Sequence, residues 1–408
     1  MFDHLDIYTP VERLAVGLAD TALGAATWPA RRLSRRRPPG TPRRVLLLRL
    51  ERIGDLLMTL GAIRAVRAQA PDAEIDLVVG SWNASLASLI AEVNRVETLD
   101  VSWLARGAAA SGPAALVTRA TSWRGRQYDL AINFEGDIRS HGLLALSGAT
   151  RRVGHAHAGG GPLLTEVVAH DGGRHVAQNA MALVERAFDL TPGTLPDPLS
   201  ATAAPFCRLQ VPEDARRAAR AMLAQLSGAV DGPWLAVHAP GGRLVKQWPS
   251  ERFAESAAIL ARDLGATVVL TGAPGDESTV NDVELRVAAT GVPTARAVAT
   301  DLVLLAAVLQ HSTLLLTGDT GPMHLAAAVG TPVVAVFGPS MPWRYAPLVE
   351  AHRIVRVDLP CSPCNRIRVP PVRCQGHAPD CLTAIAVADV VSAGRSLAAS
   401  RSLATGPS

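Results

Sequence analysis

The chain has 408 residues, a length that suits two domains rather than one core. Apolar residues make up 48% and charged residues 19%, which fits a well-packed α/β protein and excludes extensive disorder. The formal charge of +4 is local: Arg31, Arg32, Arg35, Arg36, Arg37, Arg43 and Arg44 have no acid among them, and no nucleic-acid-binding pattern accompanies them, so nucleic acid is not an expected partner.

Residues 1–43 read as a basic N-terminal arm. Val11, Leu14, Leu18, Ala22 and Ala25 fall on one helical stripe ahead of the arginines. Two readings stay open: a helix lying on an anionic membrane surface, or a disordered arm, for which Pro38, Pro39 and Pro42 argue. No apolar run reaches the roughly 18 residues that span a bilayer, since Leu14 to Trp28 is broken by Asp20. The acids Asp3, Asp6 and Glu12 come first and the arginines follow, the reverse of a secretory signal, so the expected location is cytoplasmic, peripheral at the inner face of the membrane if the arm binds lipid.

Val45 to Leu50 predicts a buried strand, with Gly54 and Asp55 in the turn before a helix over Leu56 to Ala70. Further strands are predicted at Glu74 to Val79 and Asp129 to Phe134, and alternation of strand and helix predicts a parallel sheet covered on both faces. The first folded domain is placed at 44–200. Pro192, Pro196, Pro198, Pro205 and Pro212 interrupt regular structure, giving a linker and leading helix over 201–229. The alternation then restarts in a second domain over 230–395, with strands at Trp234 to His238, Thr267 to Thr271, Leu314 to Thr317 and Val333 to Phe337, and a flexible tail over 396–408. The predicted fold class is α/β, two Rossmann-like doubly wound domains facing across a cleft. Ligands of such sheets bind beyond the carboxyl ends of the strands.

Three loops at such ends carry reactive side chains. Asp319, Thr320, Gly321 and His324 lie between an apolar strand and an Ala-rich helix, where free N–H groups and the helix dipole suit a phosphate; an ordinary capped helix fits equally. Lys246, after the pair Gly241-Gly242, can neutralise a departing diphosphate or be a solvated loop lysine. Asp55 can take a proton from an acceptor hydroxyl or cap its helix. Glu277 can accept hydrogen bonds from a ribose or complement the dipole of its helix. The Walker pattern is absent, so nucleoside triphosphate hydrolysis is not supported.

Taken in order, Val45-Leu46-Leu47-Leu48-Arg49 with Gly54-Asp55, Tyr128 to Ile132 leading to Arg139-Ser140, Lys246-Gln247-Trp248-Pro249, and Gly318 through Ala328 continuing to Pro339 resemble glycosyltransferase family 9, the ADP-heptose:lipopolysaccharide heptosyltransferases. The resemblance spans about Arg44 to Ile385. It implies the GT-B fold, an acceptor-side first domain and a donor-binding second domain. It also implies an inverting, metal-independent transfer of a sugar, heptose by family, from a nucleotide diphosphate donor such as ADP-heptose to a lipopolysaccharide core or other glycoconjugate, including a glycolipid. Asp55 then corresponds to the base and Lys246 to the donor-phosphate ligand. Gly54, Glu277, Asp319, Thr320, Gly321 and His324 correspond to the donor site. Gly61 stands where many members have proline, a departure that touches helix packing more than chemistry.

Cys361, Cys364, Cys374 and Cys381 fall within one short stretch, residues 361–381, the first two at knuckle spacing. They predict a structural zinc or iron site, with reduced cysteines packed in a loop as the alternative; similar clusters occur in many family members. Cys207 lies in the linker, and His377 reads as a loop histidine that can replace a thiolate. Two other functions remain open at this level. A GT-B sugar-nucleotide epimerase would need no separate acceptor, and a nucleotide-sugar-binding assembly protein would bind donor without turnover.

Overall fold

The computed structural model describes residues 2–33, 40–104, 110–201, 206–227 and 232–404. The chain divides into two compact units, Met1–Phe206 and Cys207–Ser408.

The first unit holds strands β1 (Arg44–Arg49), β2 (Glu74–Val79), β3 (Arg95–Thr98), β4 (Leu130–Asn133), β5 (Arg151–His155) and β6 (Glu166–Val168). Their order across the sheet is β3-β2-β1-β4-β5-β6, and every pairing is parallel. Parallel neighbours must be joined by crossovers, which place helices on both faces and bury the central strands completely. Val45, Leu46, Leu47 and Leu48 of β1 are accordingly buried, and Leu46 and Leu48 share a core with Val78, Trp123, Tyr128 and Leu144. The helix expected over Leu56 to Ala70 is two helices, Ile53–Met58 and Leu60–Gln69. Thr59 makes the break: its hydroxyl donates to the Asp55 carbonyl at 2.8 Å and its N–H to Leu56 at 3.0 Å, a tightened last turn.

The second unit repeats the plan with β7 (Trp234–His238), β8 (Thr267–Gly272), β9 (Thr294–Val298), β10 (Leu314–Gly318), β11 (Val333–Val336) and β12 (His352–Val355). The order is β12-β11-β10-β7-β8-β9, again all parallel. Helix Ser250–Leu264 packs Phe253, Ala257 and Leu260 onto Leu235, Val237 and Val268, and Trp248 meets Phe253 edge to face at 5.0 Å. Helix Gly321–Val329 ends at Gly330, whose φ of 86° is the left-handed closing conformation that glycine adopts without strain. The edge strands β3, β6, β9 and β12, absent from the sequence expectation, are short and partly exposed, so they lack the apolar run of a central strand.

One boundary differs from expectation. Helix Val387–Ala404 continues through the region expected as a flexible tail from 396, because Leu397 is buried against the second core and Arg395 pairs with Asp263 at 2.8 Å. The N-terminal arm contains the helix Pro10–Leu33, which settles the described part as helical. The arm docks on the loop after β5: from the helix, the Asp20 carboxylate accepts the Gly160 N–H at 2.7 Å, and ahead of the helix the Asp6 N–H donates to the His157 carbonyl at 2.7 Å. Val11, Leu14 and Leu18 remain exposed. Arg35, Arg36, Arg37, Pro38 and Pro39 lie outside the described residues. Among the described residues, no helix is long and apolar enough to cross a membrane.

Candidate active site

Each sheet has one place where successive crossovers leave in opposite directions, between β1 and β4 in the first unit and between β7 and β10 in the second. The loops leaving those strands open a crevice there, the usual ligand position of doubly wound sheets. The sequence-predicted loops after β1, β7 and β10 all fall at these points.

In the second unit, Lys246 closes the short turn Leu244–Lys246 after β7, and its Nζ lies 2.6 Å from a carboxylate oxygen of Asp319 at the end of β10. The Gln247 amide ties this loop back by donating to the Gly241 carbonyl at 2.6 Å. Ser340, beyond β11, donates its hydroxyl to the same Asp319 carboxylate. Burial works to raise the Asp319 carboxyl, but the charge and hydrogen bond of Lys246, the Ser340 hydroxyl and the charge of His324 hold it below the ordinary carboxylate range. Asp319 is therefore an anion with a cation in place, a pair that a phosphate can enter by competing for the ammonium.

Thr320 precedes helix Gly321–Val329 in extended conformation without capping it through its side chain, its hydroxyl lying 3.1 Å from that of Thr317. The helix start is thus not closed by its own Thr, which leaves first-turn N–H groups for an anion. His324 is buried on that helix. Gly318 lies beside the Lys246 loop, the position of a Cβ there falling 3.5 Å from the Lys246 carbonyl oxygen, an ordinary contact. Asp319, Thr320, Gly321, His324 and Lys246 are thus brought together. Glu277 is not: it begins helix Glu277–Ala288 beyond β8, is exposed, and accepts the Gly275 N–H at 2.9 Å. Hydrogen bonds from its own backbone and from Gly275 lower its carboxyl. Between these loops, burial pushes the His238 imidazole at the end of β7 down to about 4, against the opposing charge of Asp276 and the Thr271 hydrogen bond, so the ring is neutral near pH 7.

In the first unit, Gly54 and Asp55 lie in the first turn of helix Ile53–Met58. One Asp55 carboxylate oxygen accepts the Arg52 N–H at 3.1 Å, and the other faces the Arg49 guanidinium at 3.4 Å. The capping reading is therefore correct as geometry, and it leaves the carboxylate partly exposed for proton transfer. Arg49 is nearly inaccessible; it donates to the Phe134 carbonyl at 2.7 Å and pairs with Glu51 at 3.3 Å as well. The loop after β4 adds Glu135 and Asp137, the latter capping helix Ile138–Leu146 through the Arg139 and Ser140 N–H groups. Burial first, then the charges of Glu51, Asp137 and Asp55, raise the Glu135 carboxyl well above its usual value, with Arg49 alone opposing.

Sequence reading missed Arg49, Glu135, His238 and Ser340 as parts of these clusters. Two acids in Phe134-Glu135-Gly136-Asp137, directly after a buried strand, were the signal available for the first unit. Nothing local marks Ser340.

Cys361 is exposed, Cys364 and Cys374 are half-buried, and Cys381 is buried. Burial pushes the Cys381 thiol up to about 11, eased by a hydrogen bond to Ser362 and reinforced by Cys364, Cys374 and Cys361. Four neighbouring thiols are a donor set suited to zinc or iron. Among the described residues, however, no three His, Cys, Asp or Glu side chains converge to hold a metal ion, so the predicted centre is not formed in this arrangement. The segment docks on the end of β11, where Ser362 donates to the Gly338 carbonyl at 2.9 Å and the Asn365 N–H to Pro339 at 2.7 Å.

Comparison with known proteins identifies the family and the fold. Residues 119–370, more than half of the chain, match the family described as Glycosyltransferase family 9 (heptosyltransferase). Lipopolysaccharide heptosyltransferase 2 of Escherichia coli K12 is 28% identical over 334 residues, covering 77% of this chain and 88% of the relative. The solved structure of E. coli ADP-heptose lipopolysaccharide heptosyltransferase II superimposes with a TM-score of 0.70 at 21% identity, covering 88% of this chain and 99% of that one. A glycosyltransferase family 9 protein of Veillonella parvula gives 0.71 at 22% identity, covering 88% and 97%. With two Rossmann-like units of the GT-B class and this match, the chain belongs to glycosyltransferase family 9 and is a glycosyltransferase.

Proposed function

We propose that the enzyme transfers a heptose from ADP-heptose to a lipopolysaccharide-core or related glycolipid acceptor, with inversion and without a catalytic metal. The observation that carries this is the Lys246–Asp319 pair at the start of helix Gly321–Val329, within a chain that is similar to heptosyltransferase 2 over 77% of its length. In the reaction, an acceptor hydroxyl oxygen forms a bond to the anomeric carbon as the bond from that carbon to the diphosphate oxygen breaks. Asp55 takes the hydroxyl proton. Lys246, moving from Asp319 to the phosphates, and the first-turn N–H groups of the helix stabilise the negative charge that the diphosphate gains. Thr320, Gly321 and His324 shape the donor site, and Glu277 serves the ribose.

The expected location is cytoplasmic, at the inner face of the membrane. Support comes from Val11, Leu14 and Leu18 exposed on a docked helix that leads into an arginine-rich segment. One experiment tests both statements: a panel of nucleotide sugars is offered with acceptor glycolipid in detergent or in anionic vesicles, and products are read by mass spectrometry. Heptosylated glycolipid and enzyme pelleting with the vesicles at low salt are expected. Transfer of another sugar, free sugar released without acceptor, or donor binding with no product would replace the reading; enzyme left in the supernatant would remove its membrane part.

We also infer that the four-cysteine segment takes up one structural zinc or iron ion through Cys361, Cys364, Cys374 and Cys381. Metal analysis of reduced protein purified without chelator should find about one ion per chain, lost in a Cys361→Ser/Cys364→Ser variant. Metal-free protein of full stability would end this reading.

A further inference from the structure

The last backbone bond between β1 and the segment after β4 is the Phe134 N–H to the Leu48 carbonyl at 3.1 Å, and beyond it the two chains diverge. The β1 loop nevertheless keeps a partner there. Glu135 Oε1 accepts the Leu50 N–H at 2.5 Å and the Glu51 N–H at 3.2 Å, standing where a strand carbonyl would have stood. The Glu135 N–H donates to the Asn133 side chain at 3.0 Å, which turns the acidic residue back toward β1. The Glu51 carbonyl then receives the Trp82 indole at 2.8 Å and the Asn83 amide at 2.9 Å, so the loop is held from two sides. Arg49 adds a guanidinium bridge from the Phe134 carbonyl to Asp55.

Such a clamp requires an acceptor oxygen rather than a charge. Burial and the charges of Glu51, Asp137 and Asp55 raise the Glu135 carboxyl, Arg49 opposing, and an oxygen at this position accepts both N–H groups whether the acid is charged or neutral.

We propose that Glu135 is a positioning residue of the transfer reaction, fixing the Leu50–Glu51 backbone and through it the placement of Asp55. The proposal rests on the reading of Asp55 as the base. It predicts that a side chain with the same oxygen suffices and that one without it does not.

The test compares Glu135→Gln with Glu135→Met, which keeps the volume but offers no strong acceptor. Transfer kinetics, donor affinity and hydrogen exchange over residues 50–55 are measured in the whole protein. Glu135→Met should exchange this segment about tenfold faster or more and lose about 10- to 100-fold in kcat with donor affinity unchanged, because a small displacement of a reacting group is costly. Glu135→Gln should stay within about threefold of the parent in both. Loss in Glu135→Gln comparable to that in Glu135→Met would assign Glu135 a charge or proton role and overturn the proposal. So would normal kcat in Glu135→Met, whether or not exchange quickens. If Glu135→Met does not fold, Glu135→Ala takes its place in the comparison with the same expected and overturning results, and a loss of kcat of about tenfold in Glu135→Gln still refutes the acceptor argument. An active Asp55→Asn enzyme would instead refute the base reading, and the exchange data would still report whether Glu135 holds the loop.

Discussion

Replacing Asp55 with Asn should lower turnover by about 10²-fold or more while donor affinity stays unchanged. Asn has nearly the same shape, and its carbonyl oxygen can still accept the Arg52 N–H that Asp55 now accepts at 3.1 Å. Helix capping is therefore preserved. What disappears is the ability to take a proton, together with the contact to Arg49 at 3.4 Å. Arg49 keeps Glu51 and the Phe134 carbonyl, so the stability change should stay within about 1 kcal/mol. The measurement is paired: donor affinity by calorimetry and product formation by mass spectrometry on one sample, with thermal unfolding as the folding control. Asp55→Asn enzyme that transfers sugar at a near-normal rate would show that Asp55 only caps its helix. A loss of donor affinity equal to the loss of turnover would move Asp55 from proton transfer to donor binding.

Lys246→Ala should also lower turnover by about 10²-fold, and here stability is expected to fall as well. The Lys246 ammonium is one-fifth exposed and lies 2.6 Å from Asp319, whose carboxylate is nearly covered. Removing it leaves that carboxylate with Ser340 and the charge of His324, at a cost of about 1–3 kcal/mol after screening. The two losses can be separated by adding Asp319→Asn, which removes the stranded charge. Thermal unfolding should then recover toward the parent while turnover does not, because the cation that meets the leaving diphosphate is still missing. Recovery of both in the double variant would reduce Lys246 to an internal ion-pair partner. Lys246→Arg should retain part of the activity, since the charge remains but the planar guanidinium meets phosphate with different geometry.

Much of the architecture follows from local sequence. Val45 to Leu48, Trp234 to His238 and Val333 to Val336 have no way to bury both faces except as central strands of parallel sheets, and the helices between them carry their own apolar stripes. The loops bearing Asp55, Lys246 and Asp319 were recognisable for the same reason: each follows such a strand and precedes a helix. The order of those motifs along the chain also carried the family resemblance. Partnership between loops depends instead on strand order. Lys246 reaches Asp319 because β7 lies beside β10, and Glu135 reaches Leu50 because β1 lies beside β4; both adjacencies are set by how crossovers fold over the sheet. Likewise, the apolar stripe of residues 11–25 specified a helix face but not its direction. Asp20 bonding to Gly160 decides that Val11 and Leu14 point outward. Sequence periodicity determines which face of an element is apolar, whereas the choice of neighbour, and with it the pairing of charges at the site, arises only when distant strands pack into one sheet.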